Sequence, residues 1–490
     1  MKQLKNIYTY ITILALLASS ACTDNFEEIN ENPNQPTTVG AQFLLPQALE
    51  TTINNYWGNS SRNQRLNFDH AMSWVGYLTR NIYESEGDNY NVQPSVNISN
   101  WQVFYTDGLI NFEKVVEFTN ETSDDPNPNY EGIGIGMKAW TYSIMTDVWG
   151  AIPYSQALAG TAEEAIYSPG YDSQEAVYAS IIEDLATANS KLSVSGPSIS
   201  GDILFGGDIL MWKKFFNSTR FKLLNRQAHI VSSSAAEMQA MLNDPATYPM
   251  IDSNDEIAQL TYGSLPSNNP WNDILIQQSR TDWNISDAFI DKLKELGDTR
   301  IEVYTTPGNL AEGEYLGHPN GLPGEIATLY LGYSAIINQD VFAQLNSPAV
   351  LMSYSELMFV KAEAALDGDI SGDPQEFYEA GIEASFDQYG LTVPAGYLAA
   401  AGTATKENIM TQKWIALFGQ GIEAWTELRR TGFPVLPDHD PRAIFMNDGV
   451  LPTRLAYPST EYSLNAAMVE AATSLNGGGD NMKTELWWVE

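Results

Sequence analysis

Cysteine is almost absent from this sequence, because Cys22 is the only one in 490 residues. A single thiol forms no internal disulfide. Histidine is scarce too, with four residues, and the His-Glu-x-x-His, Gly-x-Ser-x-Gly and phosphate-loop motifs do not occur. These absences exclude thiol catalysis and the common histidine-centred hydrolase sites. We therefore predict no catalytic residue, no cofactor and no metal site.

Positive charge is also scarce, since 25 Lys and Arg stand against 61 Asp and Glu, for a formal net charge of -36. Nucleic-acid affinity depends on Lys and Arg that displace counterions from phosphates. The charge therefore argues against nucleic acid as a partner. The same field opposes strongly anionic small molecules unless a local basic pocket exists. The composition favours a neutral or weakly charged ligand.

The apolar segment at the N-terminus is too short to cross a membrane. Lys2 and Lys5 precede a mostly apolar stretch of twelve residues from Ile7 to Ala18. A spanning helix needs about 20 apolar residues, whereas the apolar part of a secretory signal peptide needs about 7–15 behind a basic start. We therefore predict that residues 1–21 form a signal peptide that is removed before Cys22.

Cys22 directly follows four small residues, as in the lipobox of a bacterial lipoprotein. The alternative is a chance cysteine beside a cleavage site, and Ser19 stands where lipoboxes usually carry leucine. Two or three acyl chains form a lasting anchor, at about 0.8 kcal/mol per buried CH₂. Cleavage changes the net charge from -36 to -38. Residues 22–39, rich in acids, Asn and Pro, are predicted to be a lipidated tether.

Helical patterns dominate the remainder, which we predict to be a single composite domain over residues 40–490. The strongest covers 172–192, where Asp172 and Glu175 indicate a capping box and apolar residues recur every three or four positions. The helices come in pairs, which favours stacked hairpins as in tetratricopeptide arrays, although no clean 34-residue repeat is present. Further helices are predicted at 42–57, 64–82, 99–118, 134–148, 208–230, 284–296, 353–366, 374–388, 405–418, 421–430 and 461–475.

Residues 244–352 differ from the rest because Pro, Gly, Asn and Trp crowd together there and helical signals are sparse. A shorter stretch of the same kind occupies 84–98. Long irregular insertions usually carry binding groups, since rigid scaffolds present such groups on loops. We expect the two stretches to lie together and to form the ligand-binding part of the molecule.

Aromatic residues are abundant, with 12 Trp, 25 Tyr and 18 Phe, and several lie among Asn, Asp, Arg or Gly. Aromatic rings stack on the C–H faces of sugars and combine bulk with a polar edge. The alternative for each residue is packing beneath a loop. The candidate ligand-binding residues are Tyr83, Tyr90, Trp101, Trp271, Trp283 and Tyr333.

Two short motifs have weak functional interpretations. The run Gly132-Ile133-Gly134-Ile135-Gly136 resembles the start of a dinucleotide-binding loop, but Met137 replaces the last glycine, so close helix packing is preferred. The run Asp367-Gly368-Asp369 resembles the start of a calcium loop, but Tyr378 stands at the position of the bidentate Glu, so a helix-ending turn is preferred.

Several segments carry recognisable motifs, the clearest being Thr146-Asp147-Val148-Trp149-Gly150-Ala151-Ile152-Pro153-Tyr154-Ser155-Gln156-Ala157. The others are Cys22 with residues 26–34, and residues 212–218, 355–364, 413–418 and 427–432. Together they resemble the SusD/RagB family of nutrient-binding outer-membrane lipoproteins of Bacteroidota. Ala151 departs from this pattern, because the family usually has Asp there. The resemblance covers nearly the whole chain.

The resemblance implies a mainly α fold, in which a scaffold of tetratricopeptide-like hairpins carries a loop-rich ligand-binding part and minor β-hairpins. It also implies a lipid-anchored protein of the outer membrane, facing the cell exterior. Such a protein captures an oligosaccharide or other nutrient as the lid of a SusC-like TonB-dependent transporter and delivers it without a covalent step. The shared motifs are structural, so they assign no sugar-binding residue.

Two alternatives remain open at the level of sequence. A surface glycoside hydrolase needs two convergent carboxylates, and 61 acids offer too many pairs for the sequence to choose among them. A peptide-binding helical adaptor is consistent with the concave surfaces that helical hairpins form. Release of reducing sugar would support the first, and binding of peptides but not sugars would support the second.

Overall fold

The structure is a computed structural model, and it describes residues 39–83, 86–161 and 165–489. The predicted signal peptide, Cys22 and nearly all of the predicted tether lie outside the described residues. The longer α-helices are α1 (Ala41–Trp57), α2 (Pro94–Val103), α3 (Ile110–Thr119), α4 (Pro128–Trp149), α5 (Gln174–Lys191), α6 (Ile209–Gln227), α7 (Ser233–Asn243), α8 (Asp287–Leu296), α9 (Tyr354–Leu366), α10 (Pro374–Asp387), α11 (Lys406–Ala416), α12 (Gly421–Thr431) and α13 (Ala466–Leu475).

Short segments connect these helices. Brief α-helical segments lie at Met72–Trp74, Pro270–Asn272, Ile301–Tyr304, Gly324–Ala327, Gln339–Phe342, Tyr397–Ala401 and Ser459–Leu464. Single π-helical turns lie at Leu66–Ala71, Phe104–Leu109 and Asp273–Gln277, and 3₁₀ turns at Arg62–Gln64, Ala159–Thr161, Asn254–Glu256, Thr328–Tyr330 and Asn447–Gly449. The strands are β1 (Leu78–Arg80), β2 (Ala258–Thr261), β3 (Trp283–Ile285), β4 (Thr305–Thr306), β5 (Ile336–Ile337) and β6 (Pro348–Met352).

Side-chain caps explain why several helices begin where they do. The Asn127 side chain accepts a hydrogen bond from the amide of Asn129 at 3.0 Å, and Pro128 occupies the first position of α4. Asp208 caps α6, Ser353 caps α9 and Asp373 caps α10 in the same way. Each of these residue types offers a side-chain oxygen to amides that have no partner within the first helical turn.

The predicted capping box at Asp172 is wrong by one residue. Ser173 caps α5, because its hydroxyl accepts a hydrogen bond from the amide of Ala176 at 3.2 Å. The Asp172 carboxylate instead accepts hydrogen bonds from the amides of Tyr154 and Ser155, at 3.1 and 2.8 Å. Asp172 therefore holds the loop that follows α4 and does not start the next helix.

The helix predicted at 64–82 is also only partly correct. A π-helical turn and a short helix end at Trp74, and strand β1 follows. Gly76 ends the helical run because its φ is +73°, a conformation that L side chains rarely adopt. The helix predicted at 284–296 begins three residues late, at Asp287, because β3 occupies its start. The helix α7 was not predicted.

Paired helices pack closely, as the sequence predicts, through glycines on α4. A Cβ on Gly136 would lie 2.3 Å from the Phe216 ring of α6, and one on Gly134 would lie 2.7 Å from Val116 of α3. The glycines therefore allow helices to approach on two sides of α4, which confirms the packing interpretation. The Asp367 motif likewise follows α9 directly, and Gly368 has a φ of +80°, which confirms a helix-ending turn.

A buried network of ion pairs joins α4, α6, α9, α11 and α12. Arg226 contacts Asp147 at 2.6 Å and Glu427 at 2.8 Å. Glu427 also contacts Lys413 at 3.0 Å and Arg430 at 2.7 Å. Asp147, Lys413, Glu427 and Arg430 all belong to the motifs noted in the sequence. These motifs therefore hold helices together in the interior and are structural.

The six described strands form three small antiparallel sheets, β1 with β3, β2 with β6, and β4 with β5. They are minor elements, as predicted, but they pair across long stretches of sequence and not as tight hairpins. Leu78 of β1 lies opposite Ile285 of β3, for example. The β1–β3 sheet thus links residues 244–352 to the rest of the chain, whereas the other two sheets lie within these residues, with α8 as their one longer helix.

Candidate functional site

Asp88 fastens the irregular stretch near residue 88 to the irregular insertion. Its Oδ2 accepts hydrogen bonds from the Thr79 hydroxyl at 3.1 Å, the Arg80 amide at 3.2 Å and the Gly321 amide at 3.1 Å. Burial raises the pKa of this carboxyl to about 6, although the three hydrogen bonds and Arg80 lower it. The expectation that the two irregular stretches lie together is confirmed at this point.

Tyr83 lies on the surface among arginines. Its side chain is 48% exposed, and the guanidinium carbons of Arg62, Arg280 and Arg80 lie 5.4, 5.7 and 5.9 Å from the ring centre. Cations within about 6 Å of an aromatic ring are attracted to its face. The arginines therefore help to fix Tyr83 while leaving much of the ring open to solvent.

Nearby carboxylates largely neutralise these arginines. Arg80 pairs with Asp69 at 3.2 Å and with Glu86 at 3.3 Å, and Glu86 also pairs with Arg62. Arg280 pairs with Asp282 in turn. The cluster offers guanidinium groups as hydrogen-bond donors without becoming a strongly basic pocket.

Trp283 lies beneath this cluster and is buried. The guanidinium carbons of Arg80 and Arg280 lie 5.0 and 5.6 Å from its ring, and its edge packs on Phe68 with ring centres 4.9 Å apart. Arg65 lies on the same ring at 5.9 Å. Burial lowers the pKa of Arg65. Trp283 supports the surface residues, and neither face of its ring is open to solvent.

A shallow cleft of about 550 Å³ lies next to Tyr333. Tyr333 is 48% exposed, Leu329 is exposed beside it, and Tyr330, Arg442 and Asp287 complete much of the lining. This mixture of aromatic and aliphatic side chains with a few charged groups is typical of small-molecule sites. The cleft therefore offers an open, partly apolar surface within the irregular part of the molecule.

His318 supports the cleft from below. Its ring stacks on Tyr330, with centres 4.5 Å apart and planes inclined by 4°. Its Nδ1 lies 3.3 Å from Oδ1 of Asn284. Burial lowers the pKa of His318 to about 3, so the ring is neutral at physiological pH. A neutral, stacked imidazole holds Tyr330 in place without adding charge to the cleft.

Tyr90 lies in a neighbouring, narrower pocket and is buried. Its hydroxyl makes a 3.0 Å hydrogen bond with Nε2 of His439, and its ring packs on Phe445 with centres 4.6 Å apart. Asp287 and Pro319 line both this pocket and the Tyr333 cleft. The two spaces therefore adjoin, and Tyr90 forms part of their shared support.

A chain of amides connects Tyr83 with Tyr333. The Asn81 side chain donates to Oδ1 of Asn284 at 2.8 Å, and Asn284 donates to the carbonyl oxygen of Ser334 at 3.3 Å. Asn81 is two residues from Tyr83, and Ser334 is next to Tyr333. We call the surface built by residues 80–83, 86–90, 280–287, 316–334 and 436–446 the loop face.

Trp101 and Trp271 lie outside the loop face and are buried. Trp271 is 0% exposed, stacks on Trp57 with ring centres 4.9 Å apart and donates to the Trp57 carbonyl oxygen at 3.1 Å. Trp101 packs edge-on against Trp149 at 5.1 Å. Of the six candidate residues, Tyr83 and Tyr333 are therefore exposed on the loop face, and Tyr90 and Trp283 are buried within it. Trp101 and Trp271 lie in the core.

The sequence did not single out Tyr330, His439, Arg442 or Phe445. The last three lie in the segment that follows α12, where the amide of Ile444 donates to the Gly321 carbonyl oxygen at 2.8 Å. The polar run Asp438-His439-Asp440-Pro441-Arg442 is itself a turn signal, and it marks this segment as another loop. Nothing local in the sequence shows that this loop crosses the insertion.

Two kinds of feature are absent from the described residues. No group of three or more His, Cys, Asp or Glu side chains in that part of the chain is arranged to hold a metal ion. No helix there combines the length and the apolar character needed to cross a bilayer.

The described residues form a scaffold of helical hairpins that displays an aromatic loop face. Comparisons with known proteins identify the family that shares this architecture. A family model described as "Starch-binding associating with outer membrane" matches residues 33–458. The chain belongs to this SusD-like family, which confirms the resemblance noted from its motifs. No curated protein matches the chain.

Solved structures show the same fold. A chitin-binding protein is 26% identical, with a TM-score of 0.77, over 92% of this chain and 99% of that one. A chitin-binding SusD homologue from Flavobacterium johnsoniae is 25% identical, with a TM-score of 0.78, over 91% and 98%. A SusD homologue from Bacteroides uniformis is 23% identical, with a TM-score of 0.78, over 91% and 99%, and supports the fold alone.

Proposed function

We propose that this protein is a cell-surface lipoprotein that binds a glycan and delivers it to a SusC-like TonB-dependent transporter of the outer membrane. The observation that carries the proposal is the pair of exposed tyrosines, Tyr83 and Tyr333, on a loop face supported by buried polar contacts. Open aromatic faces beside hydrogen-bonding groups suit a neutral sugar chain. Membership of a family described as starch-binding, and similarity to chitin-binding structures, support the choice of a glycan.

The proposed protein is a binder and not an enzyme. Asp287 and Asp291 are the two carboxylates that line the Tyr333 cleft, so a hydrolase acting in this cleft would have to use them as its pair. One oxygen of Asp287 accepts hydrogen bonds from the Ala288 amide at 2.8 Å and the Ser286 hydroxyl at 3.3 Å. These bonds give Asp287 a structural role at the start of α8. A reducing-sugar assay with starch and chitin fragments should show no release.

The experiment is calorimetric titration of the mature chain with maltotetraose and chitotetraose. The double variant Tyr83→Ala, Tyr333→Ala should bind the preferred glycan roughly tenfold more weakly or worse, since each stacked ring contributes about 0.5–1.5 kcal/mol. The matched control is Tyr167→Ala, which removes a tyrosine that is 83% exposed and lies outside the loop face. Unchanged affinity in the double variant, with circular dichroism showing a native fold, contradicts the proposed site.

A further inference from the structure

A recess of about 530 Å³ lies outside the loop face, among helices α3, α4 and α5 and the chain that follows α4. None of the residues that line this recess belongs to the loop face. Its volume is within the range of about 300–1,000 Å³ that is usual for small-molecule sites.

Tyr142 of α4 brings an unpaired hydroxyl group to this recess. The residue is only 2% exposed, and its ring packs edge-on against Tyr154 with centres 4.7 Å apart. The Tyr142 hydroxyl makes no hydrogen bond with any described residue, whereas the hydroxyl of neighbouring Tyr105 donates to the Pro153 carbonyl oxygen at 2.7 Å. It is also not one of the unpaired polar atoms of the described residues that are closed off from solvent, so its oxygen borders the open space of the recess. The hydroxyl is therefore available to a bound molecule.

Asp184 of α5 lies near this hydroxyl. Burial raises the pKa of Tyr142, and the charges of Glu113 and Asp184 raise it further, which places both carboxylates near the hydroxyl. Oδ2 of Asp184 accepts a hydrogen bond from the Tyr154 hydroxyl, and Oδ1 has no donor among the described residues. Burial raises the pKa of Asp184 as well, although the Tyr154 hydrogen bond and the charge of Lys138 lower it.

Asp184 has no ion-pair partner among the described residues, since Lys138 pairs with Glu113 instead. Three acids and two lysines line the recess, which leaves one excess negative charge there. The net charge of -36 has the same sign, so the field of the protein attracts cations to this place. A partly buried carboxylate without a counterion is stabilised by a cation that contacts it.

We infer that this recess binds a small organic molecule that carries one primary ammonium group. The ammonium donates hydrogen bonds to Oδ1 of Asp184 and to the hydroxyl oxygen of Tyr142, and its charge balances the excess charge of the lining. The carbon chain of the molecule packs against Ile110 and Leu158, which line the same recess. Because the ordinary pKa of an alkylammonium group is about 10.4, the molecule is charged at neutral pH.

The test is saturation-transfer NMR of the mature chain with 6-amino-1-hexanol and with 1,6-hexanediol, which differ only in one terminal group. The amine should bind saturably and at least tenfold more tightly than the diol, because hydrogen bonds to charged groups contribute more than neutral ones. The loop-face double variant should bind the amine as wild type does, whatever it does to the binding of glycans.

Two variants test the assigned atoms. Tyr142→Phe removes the unpaired hydroxyl but keeps the buried ring, and Asp184→Asn removes the charge but keeps an oxygen that accepts from Tyr154. Each should weaken binding of the amine about tenfold or more. The matched control is Glu175→Gln, which removes one negative charge from an exposed residue of the same helix and should change the affinity less than about twofold.

Three outcomes overturn the inference. One is equal affinity for the amine and the diol, because the recess would then not recognise charge. Another is unchanged binding of the amine in either variant when circular dichroism shows a native fold, with Asp184→Asn alone deciding if Tyr142→Phe does not fold. The third is an equal loss in Glu175→Gln, which would mean that the amine responds only to the general negative field of the chain.

Discussion

Asp88 makes the stability of the loop face depend on pH. Burial raises its pKa from the ordinary 3.8 to about 6, so the folded protein binds this proton more tightly than the unfolded chain does between those pH values. The contribution of Asp88 to the free energy of unfolding therefore falls as pH rises through this window, by at most about 1.4 kcal/mol per pH unit. Above this pH window, the Asp88 carboxylate is charged and its stabilising contribution is lost completely.

Asp88→Asn should remove this dependence. The measurement is urea unfolding of wild type and variant at several pH values between 4 and 7. The variant should gain stability relative to wild type as pH rises through the window, because it has no proton to lose. Thr79→Val is the control, since it removes one hydrogen bond to Asp88 but keeps the carboxyl. A constant difference between Asp88→Asn and wild type at every pH would refute the role of Asp88.

Residue by residue, local sequence could not separate exposed aromatic residues from buried ones. Tyr83 and Trp283 both have polar sequence neighbours, yet Tyr83 is open to solvent and Trp283 is covered. The cover comes partly from Arg80, which lies opposite Trp283 in the pairing of β1 with β3. Contacts across about 200 residues of sequence decide burial here, and no local pattern contains them.

Helices were more predictable than strands because their signals are local. Ser353 and Asp373 cap helices that begin directly after them, at the predicted starts to within one residue, whereas α4 begins after Asn127, six residues before its predicted start at 134. Strand β1 is only three residues long, Leu78–Arg80, and lies near the end of a stretch that was predicted to be one helix. Its pairing with β3 fixes it as a strand, so a helical interpretation of 64–82 was wrong at its end.

The buried ion pairs of α12 make a measurable contribution to the free energy of unfolding. Burial alone would raise the pKa of Glu427, but Arg430, Lys413 and Arg226 hold that pKa well below its usual value. The stability that Glu427 contributes is therefore fully present above pH 4.5 and is lost as pH falls through the lower pKa of the folded protein.

Glu427→Gln should cost about 3–5 kcal/mol of the free energy of unfolding at neutral pH, because it leaves buried cations without their shared partner. Urea unfolding at constant pH measures this loss. Glu407→Gln is the control, since Glu407 is an exposed acid near the start of α11, and surface substitutions of this kind change stability by about 0.5 kcal/mol or less. A loss in Glu427→Gln no larger than in the control would show that the network contributes little.

At the scale of the whole molecule, the net charge and the local charges of the loop face both favour a neutral ligand. The full chain carries -36 charges, and the arginines around Tyr83 are paired with Asp69, Glu86 and Asp282. Among the described residues, these ion pairs therefore leave little positive charge near Tyr83 to offset the negative field. A neutral glycan experiences no net force from that field, whereas an anionic glycan is repelled over the Debye length, about 30 Å at 0.01 M salt and 3 Å at 1 M.

The affinity for a neutral tetrasaccharide should accordingly stay within about twofold between these two salt concentrations, because screening has no charge on the ligand to act on. The same tetrasaccharide with one uronic acid should bind more weakly in low salt and recover as salt is added. Calorimetric titration of the mature chain with both sugars measures the two trends. Stronger binding of the anionic sugar in low salt would mean that the arginines near Tyr83 act as a basic pocket, and the ligand class would then have to be an acidic glycan.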